Sequence, residues 1–133
     1  MKRRLVVAFL IAFALWPALH RVLVAAYDAN PWKLAGWAMY ARPHFPARLA
    51  LRLVEGGSER PLRELDDWEQ VLAAEFIERR HSLGRLARPD ALVEALLSRL
   101  GRADAVVVVL RTRYFDLETA SIRQRTERET FTR

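Results

Sequence analysis

Apolar and polar positions divide the chain into three stretches. An unbroken apolar run covers residues 5–19, His20 and Arg21 interrupt it, and residues 22–26 resume it. At ~1.5 Å per residue this makes a helix of about 33 Å, enough to cross a bilayer core of ~30 Å. Arg21 can snorkel to an interface, and Pro17 is better tolerated in a membrane span than in a soluble helix. Residues 27–46 follow no helical or strand period. From residue 47 onward, short segments of period two and period 3.6 succeed one another.

The third stretch predicts a small α+β domain. Leu49, Leu51 and Leu53 alternate with Ala50, Arg52 and Val54, a half-buried strand that ends at a Gly56-Gly57 turn. Asp66 opens a helix, with Glu69 placed as its capping-box partner. Leu65, Trp68, Leu72, Phe76 and Leu83 form the apolar stripe of that helix, and Gly84 is positioned to cap it. A second helix starts at Pro89 or Asp90 and ends at Leu100, with Leu92, Val93, Leu96, Leu97 and Leu100 on its apolar face and Gly101 ending it. Residues 105–110 are apolar on both faces and predict a covered central strand. After a turn near Phe115-Asp116, the polar, Thr-rich residues 119–131 pair back on it as a hairpin. The expected order is β-α-α-β-β, a three-stranded sheet behind one N-terminal transmembrane helix.

Composition narrows the chemistry. The chain has no cysteine, which excludes disulfides, thiolate zinc sites and thiol nucleophiles. The formal net charge is +6, but Lys2, Arg3, Arg4 and Arg21 supply four of the 22 basic residues. Beyond residue 26 the balance is 18 basic to 16 acidic residues, so nucleic acid is not an expected partner. The five glycines form no dinucleotide or phosphate-loop pattern, and the three histidines form no zinc-binding pair. Asp66, Asp67 and Glu69 fit a helix N-terminus better than acid–base work. No catalytic residue, cofactor or metal is expected.

Residues 1–26 have two readings. One is an uncleaved anchor. The other is a signal peptide, with small residues for cleavage at Val24-Ala25-Ala26. Under either, Lys2, Arg3 and Arg4 hold the N-terminus in the cytoplasm and residues 47–133 are exported. Residues 27–46 contain Trp32, Trp37, Met39, Tyr40 and Pro43. These fit an aromatic belt in the headgroup layer, or a hydrophobic plug that docks on a neighbouring membrane protein. Arg79, Arg80, Arg85 and Arg88 cluster where the two helices meet. They form a solvated face, a contact for anionic lipid or an acidic partner, or the footprint of a helix-turn-helix, which export makes unsuitable.

The segment Trp37-Ala38-Met39-Tyr40-Ala41-Arg42-Pro43 resembles the Trp-x-Met-Phe-Ala-Pro-x-Pro box of small bacterial membrane-anchored proteins of the DUF5819 type. Similar boxes occur in short proteins associated with horizontally transferred transmembrane domain proteins, relatives of vitamin K-dependent carboxylase. Tyr40 replaces the Phe here, and Arg42 stands where a Pro is usual. The resemblance implies an accessory membrane protein, with the box after a transmembrane helix and before a small domain.

The expected function is a non-catalytic accessory subunit in the bacterial inner membrane, with a periplasmic or extracellular domain. Its expected partners are the lipid bilayer and a larger integral membrane protein. The alternative is an exported ligand- or peptide-binding module that uses the free edge of the C-terminal strand.

Overall fold

Residues 2–30, 45–116 and 118–133 are described by the computed structural model of the protein. The apolar run forms one helix, α1 (Lys2–Tyr27), with Pro17 inside it. This helix is long and apolar enough to cross a membrane, and most of its surface is exposed. The rest of the chain forms β1 (Arg48–Glu55), β2 (Ser58–Leu62), α2 (Asp67–Leu83), a 3-10 turn (Gly84–Leu86), α3 (Asp90–Arg99), β3 (Ala105–Asp116) and β4 (Ser121–Thr132).

The sheet is antiparallel throughout, in the order β2-β1-β3-β4. The α+β class stands, but the sheet has four strands where the sequence pattern predicted three. The extra strand is β2. Its residues, Ser-Glu-Arg-Pro-Leu, show no apolar alternation and include a proline, the features of an edge strand with little to bury. Gly56 and Gly57 both have positive φ, +55° and +79°, and Glu55 pairs with Ser58. A two-residue turn of this kind suits the twist of a hairpin, so the chain reverses instead of ending a lone strand.

One face of the sheet carries the core. Leu51, Leu53, Val106, Val108 and Leu110 meet Phe76 of α2 and Leu92, Leu96 and Leu97 of α3. As predicted, residues 105–110 are all buried, and β3 lies between β1 and β4. Of the stripe predicted for α2, Phe76 lies in the core and Leu65, Leu72 and Leu83 pack against it, but Trp68 does not. Glu69, Ala73 and Phe76 face inward, whereas Trp68 is 63% exposed. Glu69 turns in to meet Arg99, which carries Trp68 round to solvent.

The other face is closed by charge. Glu59 on β2 binds Arg52 of β1 at 2.8 Å and Arg128 of β4 at 2.5 Å, and Val107 on the strand between them is 1% exposed. The turn after β3 also lies further out than predicted. β3 continues to Asp116, and β4 begins at Ser121 after Ala120, whose φ is +48°. Pairing of β1 with β3 starts at Arg48–Arg111. Beyond that point, among the described residues, β3 and β4 pair only with each other, as a two-stranded ribbon.

Candidate functional site

The part of the fold with most to say about function is the joint where α1 enters the domain. The Asp28 N–H donates to the Val24 carbonyl at 3.1 Å, and Asp28 then takes a positive φ of 60°, which ends the helix within one residue. Ala29 and Asn30 are buried immediately afterwards. The Asn30 N–H donates to the Ser82 carbonyl at 3.1 Å, and its side-chain amide lies 3.2 Å from His81 Nε2. The helix exit therefore docks on the last turn of α2.

Gly84 makes that docking possible. A Cβ built on it would lie 2.1 Å from the Tyr27 carbonyl oxygen and 2.5 Å from that of Asp28. Its φ of +58° also disfavours any other residue. Sequence alone identified Gly84 as a helix stop, which it is. The second role, admitting the end of α1, carried no sequence signal, because its partner lies more than fifty positions away.

Charges fasten the same joint. Glu127 of β4 accepts hydrogen bonds from Arg80 of α2 and Arg125 of β4, and Arg85 approaches it at 3.5 Å. Arg125 also reaches back to Asp28 at 3.2 Å. Burial pushes the Glu127 carboxyl up, but the Arg125 hydrogen bond and the charges of Arg80, Arg125 and Arg85 outweigh it and hold the group below its ordinary value. The Glu127 hydrogen bond likewise raises the guanidinium of Arg125. The cavity among Asp28, Phe45, Arg80, Gly84, Thr112 and Glu127 measures about 20 Å³, room for about one water.

The four arginines singled out from the sequence thus divide. Arg80 turns inward, with its side chain 10% exposed, and Arg85 approaches the same carboxylate from a half-exposed position. Arg79 lies 3.4 Å from Glu75 on the exposed side of α2, and Arg88 lies 3.2 Å from Asp90 at the start of α3. Each has a carboxylate neighbour, so the cluster is partly neutralised by its own domain. Trp32, Trp37, Met39, Tyr40 and Pro43 lie outside the described residues.

The carboxylates at the start of α2 have structural work. Asp66 Oδ1 accepts from the Glu69 N–H at 2.7 Å, and Glu69 Oε2 accepts from the Asp66 N–H at 3.0 Å, completing the predicted capping box. Glu69, 1% exposed, also receives two hydrogen bonds from Arg99 of α3, at 2.6 and 2.7 Å. Among the described residues no group of three or more His, Asp or Glu side chains is arranged to hold a metal ion.

Among the described residues, grooves flank the core on two sides. One, of about 640 Å³, runs between α2 and the β1–β2 hairpin over Leu49, Leu62, Leu65 and Ile77, with Arg63 and Arg111 also in its wall. The other, of about 560 Å³, lies between α3 and the end of β4 and includes Asp90, Glu94, Leu97, Thr130 and Phe131. Comparison with family models, with curated proteins and with solved structures finds no match to this chain.

Proposed function

We propose that the chain is a non-enzymatic accessory subunit: a single-pass membrane protein, N-terminus in the cytoplasm, whose small exported domain works beside a larger integral membrane protein. The observation that carries this reading is the joint. The end of α1 docks directly on the domain, since Ala29 and Asn30 are buried and Gly84 lies against the last carbonyl of the helix. A domain held in this way stays at the bilayer surface, where residues 31–44, with the Trp-Ala-Met-Tyr box, can meet a neighbour in the membrane.

The joint also favours the anchor over the signal peptide. A helix that continues through Ala25 and Ala26 to Tyr27 holds those residues in helical conformation rather than as an extended chain. Lys2, Arg3 and Arg4 support the cytoplasmic assignment of the N-terminus. Arg79 and Arg88, exposed on the domain, are the cluster members best placed for lipid or partner contact.

Affinity purification of the full chain in mild detergent, with intact mass measured on the product, tests both points. The expected result is a mass that includes residues 2–26 and a stoichiometric membrane protein beside it. A mature N-terminus at Ala26 or Tyr27 would overturn the anchor, and a chain recovered alone would overturn the accessory role. A second reading, strand addition by an exported peptide, draws support from β4, the outermost strand of the sheet along its whole length.

A further inference from the structure

We infer that β4 is a self-recognition edge: two copies of this chain join antiparallel, β4 to β4, about a two-fold axis at Thr126. The inference goes beyond the accessory-subunit reading; it rests on the membrane anchor in that reading but not on the larger partner.

Among the described residues no strand pairs with the outer side of β4, which leaves the outward-pointing backbone groups of every second residue along its twelve positions without a strand partner. Proteins guard such edges with charge, and this strand is heavily charged. The order of its charges is the informative part. On the helix-bearing face, β4 presents Arg123, Arg125, Glu127 and Glu129 in sequence, with Phe131 beyond them in the core. The first half of that row is basic and the second half acidic.

An antiparallel ladder pairs residues whose backbone groups point the same way, so a strand meeting its own copy pairs positions of equal parity. Centred on Thr126, the register places Arg123 opposite Glu129 and Arg125 opposite Glu127, each twice. Shifting the centre to Arg125 opposes two arginines across the axis, and shifting it to Glu127 opposes two glutamates. Directly opposed like charges destabilise a sheet, and opposed unlike charges stabilise it. The pattern that repels an unrelated strand therefore admits a second copy in one register.

Two further features agree. The groove between α3 and the end of β4 carries Asp90 and Glu94, and in this register it lies beside the start of the second copy's β4, with Arg123. The two-fold axis is perpendicular to the sheet, so both helical layers lie on the same side of the joined sheet. Confinement to a membrane raises the effective concentration, so a narrow edge contact suffices. The contact is isologous and closes at two copies, and each spent edge is covered.

The native chain has no cysteine, so a single introduced thiol reports its own position. The full chain carrying Thr126→Cys is reconstituted in phosphatidylcholine–phosphatidylglycerol vesicles and treated with a short thiol–thiol cross-linker. Residues on the axis lie about 5 Å apart, so covalent dimer is expected, while Ser58→Cys, on the opposite edge of the sheet, stays monomeric. Adding Arg123→Glu, or adding Glu129→Arg, should each lower the Thr126→Cys dimer yield about tenfold, because two attractive pairs become repulsive. Mixing those two charge variants, or combining both changes in one chain, should restore it. Arg123 binds Asp116 at 2.8 Å, so each variant's thermal unfolding is measured alongside, and restoration in the combined variant separates pairing from folding. No dimer at Thr126→Cys, equal yields at both edges, or a yield indifferent to charge reversal would each overturn the inference. Loss of a co-purifying partner leaves it standing, so the two readings fail separately.

Discussion

Gly84 shows how much can rest on the absence of one methyl group. Its positive φ alone costs a side chain about 1–2 kcal/mol, and the 2.1 Å approach to the Tyr27 carbonyl is one that only backbone movement relieves. Gly84→Ala should therefore lower stability by more than about 2 kcal/mol in chemical denaturation and expose the chain after Tyr27 to limited proteolysis. Gly101, with open space around its Cβ position, is the control: Gly101→Ala should change little. Glu127 makes the matching electrostatic case. Its folded value is depressed, so its contribution is complete above the ordinary 4.5 and is lost as pH falls below that, through the folded value. Unfolding midpoints measured across that acidic window should drop for the native chain and drop less for Glu127→Gln. Neither role was legible beforehand, because Gly84 and Glu127 each meet partners far away in sequence.

The elements divide by how much of their reason for existing is local. The start of α2 was legible to the residue, since a capping box is a bond between positions three apart. The central strand was equally plain, since six consecutive apolar residues leave few other places for 105–110. β2 was hidden, because an edge strand is held by its neighbour's backbone and needs no pattern of its own. On α2, the inward turn of Glu69 and the outward turn of Trp68 were not foreseen, for a related reason. A glutamate is an unpromising core residue until a guanidinium from another helix is supplied. That pair sets a third expectation. Glu69→Ala leaves Arg99 without its bidentate partner and removes half of the capping box, so it should destabilise by about 2–3 kcal/mol. Asp66→Ala, which removes chiefly the cap, should cost about 1 kcal/mol. Thermal unfolding of both variants decides the order, and equal losses would mean that the interhelical pair adds nothing.

At the scale of the whole molecule, the joint between α1 and the domain has a mechanical meaning. A helix of 26 residues at ~1.5 Å per residue is a rod of about 39 Å. Rods in bilayers tilt to match their apolar length to the local thickness. With a flexible linker that tilt would dissipate. Here Asn30, Gly84, Asp28 and Arg125 couple the end of the rod to the sheet, so the domain turns with it. A change of about 10° moves the domain end of the rod sideways by about 7 Å and rotates the domain by the same angle, as a crank turns with its shaft. Fluorescence transfer from a dye on the β3–β4 ribbon to a headgroup acceptor should therefore change when the full chain is moved from thin to thick bilayers. The same measurement on Gly84→Ala, with the coupling broken, should respond less. Bilayer thickness, a property of the lipid, would then be expressed as the angle at which a protein surface faces its neighbours.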